Sequence, residues 1–485
     1  MDHVSQRIRV LTILFFLSLL FSGAVLFAER TAVQSRIQPN IILLLADNLG
    51  YGDVGSFGSQ LHRTPNIDRL AEEGIRLTSF YVSSGVCTPS RASLMTGSYP
   101  RRVNMHMDVR ETAVIRPVSP IGLNPSEITV AEVLKGLGYV TALIGKWHLG
   151  DQAPFLPTRQ GFDYYYGIPY SDDMTERDEP PWDRYPWPPL PLMRNEQVIE
   201  APADRDILTR RYTEEAIRFI EENRGRPFFL FLSHAMPGST PHPFASDPFK
   251  GKSKNGPYGD SVEEIDWSTG EILQTLERLG LEDNTLIIFT SDNGAPRRDP
   301  PQGSNKPLAG WGYTVAEGGM RVPFLARWPG QIPPGVTSDY LATSMDLLPT
   351  FAELAGGSGP QDRMIDGKNI WSILTNEATG SPHEAFYYYY MDQLRAVRSG
   401  KWKLYLQLDQ EDVVGQEVDA SQPRLFDLST DLTESRDVAA ENRAVVDRLI
   451  RLAERARDDL GDRGRHGKNQ RPAGWVAQPL PQVRK

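Results

Sequence analysis

The chain has 485 residues, and its content of 40% hydrophobic and 24% charged residues is typical of a folded globular protein, long enough for one large domain and a smaller one. Its formal net charge of −10 argues against a nucleic-acid partner, because binding to a phosphate backbone requires clustered Lys and Arg. An anionic substrate would have to be attracted by local positive charge.

The N-terminal segment has the pattern of an export signal. Arg7 and Arg9 precede an apolar run that extends to Ala28, and such a run predicts translocation to the periplasm or secretion, with a mature chain that begins near Glu29. The run is long for a signal core and has no clean small-x-small cleavage site. Residues 1–28 are therefore predicted to be a signal peptide or an N-terminal anchor, and membrane association is expected only through that anchor.

Strand-like apolar runs alternate with amphipathic segments from residue 40 to about residue 355, within a predicted domain of residues 36–375. This alternation predicts an α/β fold, with a mostly parallel sheet sandwiched by helices. The predicted strands are Asn40–Ala46, Tyr139–Ile144, Pro227–Ser233, Thr285–Thr290 and Val322–Arg327. The predicted helices are Thr129–Leu137, which begins with a Thr129 and Glu132 capping box, Asp206–Asn223, Tyr258–Leu279 and Ser344–Leu354.

The segment 178–191 interrupts this pattern. It contains six prolines and two tryptophans, which exclude regular structure and indicate a long surface loop. Such a loop could shape a substrate pocket or be an inert excursion, and the sequence leaves both readings open.

The C-terminal part of the chain has a different texture. Short strand signals followed by a helix predict a small α+β subdomain over residues 380–462. Residues 463–485 are basic and contain Gly and Pro, so we expect a loose tail. The predicted elements of the subdomain are strands at Ala385–Tyr390, Leu394–Val397 and Trp402–Leu406 and a helix near Arg443–Leu460.

Polar side chains follow the predicted parallel strands at the points where each strand ends. Ligands of open parallel sheets bind outside the carboxyl ends of the strands. A single Asp or Asn there is explained by helix capping, but four strand ends carrying polar groups favour a site. The groups are Asp47 and Asn48, Lys146 and His148, His234 and His242, and Asp292 and Asn293.

Asp47, Asn48, Asp292 and Asn293 supply carboxylate and amide oxygens, which are hard ligands. Such a set suits Ca²⁺, or less well Mg²⁺, and does not suit zinc. With only two formal negative charges among the ligands, the ion would keep net positive charge and polarise a substrate oxygen.

Cys87 is the only cysteine, so the chain can form no internal disulfide. A lone cysteine is more often a small buried hydrophobe than a reactive group, but the neighbours of Cys87 favour another reading. Pro89, near the first helical position, and Gly97, at the end, predict a short helix with Cys87 at its N-terminus. The free N–H groups of that helix start, together with Arg91 one turn later, predict a site for an oxyanion.

The segment around Cys87 resembles the signature of the sulfatase family, of the arylsulfatase and N-acetylgalactosamine-sulfatase kind within the alkaline-phosphatase superfamily. The resemblance covers nearly the whole mature chain and implies an alkaline-phosphatase-like fold. The matching segments are Cys87-Thr88-Pro89-Ser90-Arg91 with Leu94, Thr96 and Gly97, then Pro39–Gly52, Thr64–Asp68, Gly145–Gly150, Asp292-Asn293-Gly294, Glu317-Gly318-Gly319, Arg321-Val322-Pro323, Arg395–Arg398 and Lys401–Leu404.

The resemblance implies a specific catalytic group. A formylglycine-generating maturation enzyme would oxidise Cys87 to formylglycine (3-oxoalanine), whose aldehyde hydrates to a geminal diol held on the calcium ion, so that position 87 is also a metal ligand. One hydroxyl would attack sulfur and release the alcohol, and the second would then allow expulsion of sulfate and restore the aldehyde.

The resemblance also implies roles for four other side chains. Arg91 and Lys146 would hold the diol and the sulfate oxygens. His148 would deprotonate the remaining hydroxyl, and His242 would contact the sulfate and protonate the leaving oxygen. His234 is the second candidate for the role of His242, and no role is predicted for His62, His106, His383 or His466.

Two positions depart from the family pattern. Asn48 stands where most relatives have a second aspartate, so the cation site is expected to be weaker but more electropositive. Gly312 stands where the family usually places a sulfate-binding lysine. Lys306 lies upstream and is the nearest substitute along the chain, although its place in the motif is wrong.

Three functional hypotheses follow. The first is a sulfuric-ester hydrolase that acts outside the cytoplasm on an aryl sulfate, another sulfated small molecule or a sulfated sugar. The second is a phosphonate or phosphoester hydrolase of the same superfamily, because both tetrahedral anions suit a cationic pocket with a metal. The third is a catalytically impaired protein that binds sulfated glycans, suggested by Gly312 and Asn48.

Overall fold

The computed structural model describes residues 38–176, 187–299, 301–408 and 421–483. The predicted signal or anchor and most of the proline-rich loop lie outside these ranges. The described residues from Pro39 onward form one compact unit. Within the described ranges, no helix has the length and apolar character needed to cross a membrane.

Ten of the described strands form the main sheet. They are β1 Asn40–Asp47, β2 Ile75–Leu77, β5 Val140–Gly145, β6 Tyr164–Gly167, β7 Leu192–Arg194, β8 Gln197–Glu200, β9 Phe228–Pro237, β10 Thr285–Ser291, β11 Phe324–Arg327 and β12 Val336–Ser338. Their order across the sheet is β12-β2-β11-β10-β1-β9-β5-β6-β7-β8. The five neighbours from β10 to β6 are mutually parallel, whereas β11 and β7 are each antiparallel to both of their neighbours. The mostly parallel sheet is therefore confirmed.

Helices cover both faces of this sheet, because its central strands are apolar on both sides. Alternate residues of β1 enter two different cores: Ile41 and Leu43 pack on one side, and Ile42 and Leu44 on the other. The helices are α1 Pro65–Glu72, α2 Cys87–Thr96, α3 Val130–Gly136, α4 Leu208–Asn223, α5 Gly256–Leu279, α6 Glu317–Met320, α7 Leu347–Leu354, α8 Trp371–Leu374 and α9 Arg443–Leu460.

Helices α1, α4 and α5 pack on one face of the sheet, whereas α2, α3 and α7 pack on the other. The predicted capping box is present at the start of α3, where Thr129 Oγ1 accepts from Glu132 N at 3.1 Å and Thr129 N donates to Glu132 Oε2 at 2.7 Å. The four predicted helices of the large domain are therefore found at their expected places, with ends shifted by a few residues.

A small antiparallel sheet follows in the C-terminal part, as predicted. Its four described strands are β14 Phe386–Tyr390, β15 Gln393–Ser399, β16 Trp402–Tyr405 and β17 Arg424–Asp427, and α9 packs against β15 and β16. The strand β17 was not predicted, because its four residues show no alternating pattern. The apolar core of this subdomain also contains Tyr81 and Met320 of the large domain, so the two parts share one interior.

The expectation of a loose tail after residue 462 does not describe the structure. Arg471 forms an ion pair with Glu127, with Nε to Oε1 at 2.7 Å, and the backbone N–H of Leu480 donates to Gln152 Oε1 at 2.8 Å. Composition alone could not predict this order, because it depends on pairing of polar side chains that are far apart in the sequence. The tail also supplies β18 Gly474–Trp475, which pairs with β4 Ile121–Gly122; the remaining pair is β3 Phe80–Tyr81 with β13 Ala342–Thr343.

Candidate active site

The carboxyl ends of β10, β1, β9 and β5 lie side by side and bring the predicted polar residues together. Ala46 of β1 pairs with Ser291 of β10, and Gly145 of β5 pairs with Ser233 of β9. The next residues along each chain segment therefore meet above one edge of the sheet. A glycine is required at position 145, where φ is 118°, because an added Cβ would lie 1.8 Å from the Ser233 carbonyl oxygen.

Cys87 lies at the centre of this edge. It is the first residue of α2, as the Pro89 and Gly97 signals predicted, and Gly97 ends the helix in the left-handed conformation. The Cys87 Sγ donates toward Asp47 Oδ1 at 3.4 Å and Asn48 Oδ1 at 3.7 Å. Ligand atoms of Asp47, Cys87 and Asp292 all lie within 4.8 Å of one another. The sole thiol and the two strand-end carboxylates thus form one buried cluster.

The charges around the two carboxylates are unevenly distributed. Burial and repulsion from Asp292 raise the pKa of Asp47 to about 7, although Lys146 and Arg91 act in the opposite direction. Burial would also raise the pKa of Asp292, but the charges of Arg91 and Lys146 outweigh it and the net shift is downward. When both carboxylates are ionised, the two buried cations balance their charge.

Lys146 and Arg91 hold these carboxylates in place. Lys146 Nζ donates to Asp47 Oδ2 at 2.7 Å and to Ser171 Oγ at 3.2 Å. Arg91 Nε donates to Asp292 Oδ2 at 2.9 Å, and its Nη1 donates to the Lys146 carbonyl and to Ser233 Oγ. Arg91 is therefore engaged by the protein itself, and the predicted contact of Arg91 with sulfate stays a prediction.

His148 lies beside the cluster in a strained backbone conformation, with φ 66°. Its Nε2 lies 3.0 Å from the carbonyl oxygen of Ile115. Because a carbonyl only accepts, Nε2 carries the proton and Nδ1 is the basic nitrogen. Nδ1 is buried and has no hydrogen-bond partner among the described residues. Burial and the charges of Lys146 and Arg91 lower the pKa of His148 well below its ordinary value, so the ring is neutral and Nδ1 carries a free lone pair.

The residues fit the cation that the sequence predicts. Asn293 Nδ2 donates to Asn48 Oδ1 at 2.7 Å and to the Gly294 carbonyl at 2.9 Å. The other amide atom, Asn293 Oδ1, is buried and has no hydrogen-bond partner in the described part of the chain. A buried oxygen without a donor beside two carboxylates is suited to a hard cation.

The two candidate histidines of the β9 segment lie in different environments. His242 is exposed, in the loop after β9, and its backbone N–H donates to Thr240 Oγ1 at 3.4 Å. Its role as a proton donor stays a prediction. His234 is buried on the side of β9 that faces α5, where its Nε2 lies 3.3 Å from Ser268 Oγ. Burial lowers the pKa of His234 to about 3, which is typical of a core residue.

Sequence reasoning missed two hydroxyl groups at this edge. Asn48 Nδ2 donates to Ser239 Oγ at 3.1 Å and to the Tyr313 hydroxyl at 3.3 Å. No local motif marks either residue. Gly312, where the family lysine is absent, packs against the strand-end loop, and an added Cβ would lie 2.1 Å from the Gly294 carbonyl oxygen. No side chain can therefore extend from position 312 without a shift of the backbone.

Comparisons with known proteins agree with this geometry. The sequence matches the family model described as Sulfatase over residues 39–358 and the one described as N-sulphoglucosamine sulphohydrolase, C-terminal, over residues 313–457. Arylsulfatase A of Homo sapiens is 41% identical over 387 residues, which cover 75% of this chain and 74% of that protein. The chain belongs to the sulfatase family.

Other relatives of this sulfatase are similar to it over most of the chain. N-acetylgalactosamine-6-sulfatase of Canis lupus familiaris is 39% identical over 75% of this chain and 71% of its own. The crystal structure of PsFucS1 sulfatase from Pseudoalteromonas sp. superposes with a TM-score of 0.76 at 29% identity, over 88% of this chain and 91% of that one. The resemblance inferred from the Cys87 motif and the alkaline-phosphatase-like fold are thus confirmed. The protein is an arylsulfatase-like enzyme that hydrolyses sulfate esters.

Proposed function

We propose that this sulfatase cleaves a sulfate monoester with a formylglycine made from Cys87 and a calcium ion bound beside it. The observation that supports this most directly is the position of the Cys87 sulfur at the start of α2, 3.4 Å from a carboxylate oxygen of Asp47. An inert structural cysteine would lie among apolar side chains, whereas Cys87 lies among two carboxylates, a lysine and an arginine.

The ligands of the cation would be Asp47, Asn48, Asp292 and Asn293, together with the oxygen at position 87. A calcium ion there would supply Lewis-acid polarisation of an oxygen. Ca²⁺ is preferred to Mg²⁺ because two carboxylates and two amides on separate loops form an irregular set of oxygens, which Ca²⁺ tolerates better.

The protein's own residues would divide the remaining work. Formylglycine, once formed, supplies a hydrated aldehyde with a hydroxyl nucleophile. Lys146 places a fully buried ammonium group beside Asp47, where it can offset negative charge that develops on sulfate oxygens. Arg91 orients Asp292. His148 would take a proton at Nδ1, which is buried without a hydrogen-bond partner among the described residues.

The substrate is proposed to be an aryl sulfate or a sulfated sugar. The support comes from the names of the relatives, which include an arylsulfatase and an N-acetylgalactosamine-6-sulfatase. His242, exposed at the loop after β9, is proposed to protonate the leaving oxygen of the alcohol, where a solvent-facing histidine can exchange protons.

The experiment is intact-protein mass spectrometry of the full chain made with a formylglycine-generating enzyme. We expect Cys87 to lose sulfur and two hydrogens and to gain one oxygen, and activity to increase with the modified fraction. Cys87→Ala, made in the same way, should show neither change. Sulfate-ester hydrolysis by enzyme in which Cys87 is still a thiol would contradict the role of formylglycine. Faster turnover of a matched aryl phosphonate than of the aryl sulfate would favour the phosphonate hydrolase.

We also propose that the enzyme is exported, on the support of Arg7, Arg9 and the apolar run that follows. Cell fractionation and N-terminal sequencing would test this. A mature N-terminus near Glu29 in the soluble exported fraction supports a cleaved signal, an intact N-terminus in the membrane fraction supports the anchor, and retention in the cytoplasm contradicts export.

A further inference from the structure

A triad of polar groups at the edge of the site has more protons than internal acceptors. The triad consists of the amide of Asn48 and the hydroxyls of Ser239 and Tyr313. Asn48 Nδ2 donates one proton to each hydroxyl, and the two hydroxyl oxygens lie 2.7 Å apart. At this distance one hydroxyl donates its only proton to the other, which therefore keeps its own proton for a different acceptor. The second hydroxyl proton then has no acceptor within the triad.

The orientation of the Asn48 amide is determined by its neighbours. The Gly294 carbonyl accepts from Asn293 Nδ2, so that atom must be a nitrogen, and the same nitrogen donates to Asn48 Oδ1. Asn48 Oδ1 therefore faces Asn293 and Cys87, and Nδ2 faces the two hydroxyls. An aspartate at position 48 could not donate to Ser239 and Tyr313. An aspartate would instead accept protons from these hydroxyls, so the asparagine leaves one hydroxyl proton free.

The Tyr313 ring is held against the site by its backbone. Tyr313 has φ 69°, a left-handed conformation that is strained for a residue with a bulky side chain. Its N–H donates to the Gly85 carbonyl at 2.9 Å, two residues before Cys87, and the Gly312 N–H donates to the Ala295 carbonyl at 2.8 Å. These bonds connect the tyrosine to the loops that carry Cys87 and Asn293. The strained conformation directs the phenol to Asn48.

We propose that Tyr313 is a substrate-binding residue of this sulfatase, whose hydroxyl donates its proton to a non-bridging oxygen of the sulfate while accepting from Asn48 and Ser239. The proposal rests on the proposed function, because it assigns the substrate oxygen to the space beside Cys87. Both residues that depart from the family pattern contribute: Gly312 allows the close turn, and Asn48 leaves the hydroxyl proton free. The site then binds the sulfate partly with a neutral hydroxyl group.

The test is Tyr313→Phe in the matured full-length enzyme, which removes the hydroxyl and keeps the ring. We expect kcat/KM for an aryl sulfate to fall about 10- to 100-fold, the loss typical of one hydrogen bond to a charged group. The inhibition constant of inorganic sulfate should rise about tenfold or more. Tyr165→Phe is the matched control, because it removes a hydroxyl that is buried in β6 without a partner among the described residues; its kinetics should stay within about twofold of wild type.

A second readout does not depend on catalysis. Inorganic sulfate should raise the Tm of the wild-type enzyme, and this increase should be lost in Tyr313→Phe but kept in Tyr165→Phe. Ser239→Ala should show a smaller loss than Tyr313→Phe, since the phenol would still carry its proton toward the substrate. Unchanged sulfate inhibition and unchanged Tm response in a folded Tyr313→Phe enzyme would overturn the proposal. Absence of formylglycine and of sulfatase activity in the wild-type enzyme would instead refute the proposed function.

Discussion

Two clusters of buried carboxylates and cations in this sulfatase have similar composition and opposite character. The site cluster contains Asp47 and Asp292 with Lys146 and Arg91. The second, which we call the subdomain cluster, lies between the large domain and the small sheet and contains Glu317 and Glu434 with Lys403, Arg321 and Arg398.

The subdomain cluster pairs its carboxylates with its own cations. Glu317 accepts from Tyr388 at 2.8 Å, from Lys403 at 3.1 Å and from Tyr81, and its backbone N–H donates to Glu434 at 2.9 Å. Burial opposes ionisation of Glu317, but Lys403 and the neighbouring arginines outweigh it and lower its pKa to about 2. Glu434 Oε1 has no hydrogen-bond partner in the described ranges but lies 2.8 Å from Lys403 Nζ. Both carboxylates are therefore paired with a cation, and the cluster joins the two parts of the protein.

The site cluster contains buried atoms that have no partner of any kind among the described residues. Burial and Asp292 raise the pKa of Asp47 to about 7, and buried atoms of Asn293 and His148 have no partner in the described ranges. Asn48 and His148 both adopt left-handed backbone conformations. Full burial and a left-handed residue are common to both clusters, since Glu434 has φ 50°, so neither feature by itself marks a functional site. The site cluster differs because Asn293 Oδ1 and His148 Nδ1 have neither a hydrogen-bond nor an ion-pair partner among the described residues.

The largest expected effect is a difference between Lys146, whose loss should lower activity, and Lys403, whose loss should lower stability. Lys146→Met should lower kcat/KM about 10²- to 10³-fold, as loss of one charge-stabilising donor does. Lys403→Met should instead reduce the free energy of unfolding by about 3–5 kcal/mol, because it leaves Glu317 and Glu434 buried without their shared cation. Denaturant unfolding and steady-state kinetics of both variants check this. Equal loss of activity per folded enzyme in Lys403→Met would contradict the division.

The second prediction concerns leaving-group protonation. His242→Ala should lower kcat about 10²-fold for sulfates of poorly acidic alcohols and much less for activated aryl sulfates, because the latter need no proton donor. The histidine is exposed, so Tm should not change. His234→Gln is the control and should leave both rates close to wild type. A dependence on the leaving group in the control variant would transfer the role to His234.

The third prediction concerns calcium. At about 100 times its Kd, Ca²⁺ should stabilise the wild-type enzyme by about 2.7 kcal/mol, measured as an increase in Tm. Asp292→Asn should lose most of this increase. Glu317→Gln should be destabilised but keep it, since the subdomain cluster has no role in binding the ion. An unchanged calcium response in Asp292→Asn would remove the site cluster as the cation site.

The fourth prediction concerns the pH dependence of stability due to His234. Its folded pKa of about 3 lies below the ordinary value of about 6.5, so the unfolded chain binds the proton more readily between these values. Stability is therefore lost as pH falls from about 6.5 toward 3, by about 1.4 kcal/mol per pH unit for this group. His234→Gln should flatten that slope in urea titrations at several pH values. An unchanged slope would show that His234 is not the group responsible.

Local sequence determined much of this protein. The apolar runs predicted the central strands because both faces of those strands are buried. The Pro89 and Gly97 signals predicted the helix that begins at Cys87, and the position of Asp47 and Asp292 at strand ends predicted that they would meet. These features depend on periodicity and on residue conformational preference, which a single segment carries by itself.

The tertiary structure alone decided the remaining features. Ser239 and Tyr313 lie 191 and 265 residues from Asn48, and only packing of the strand-end loops brings them together. His234 is a core residue because its side chain lies on the face of β9 that packs against α5. The C-terminal tail is held by ion pairs such as that of Arg471 with Glu127. Hydrogen bonds and ion pairs between distant segments leave no periodic trace in the sequence, because their partners are chosen by the fold.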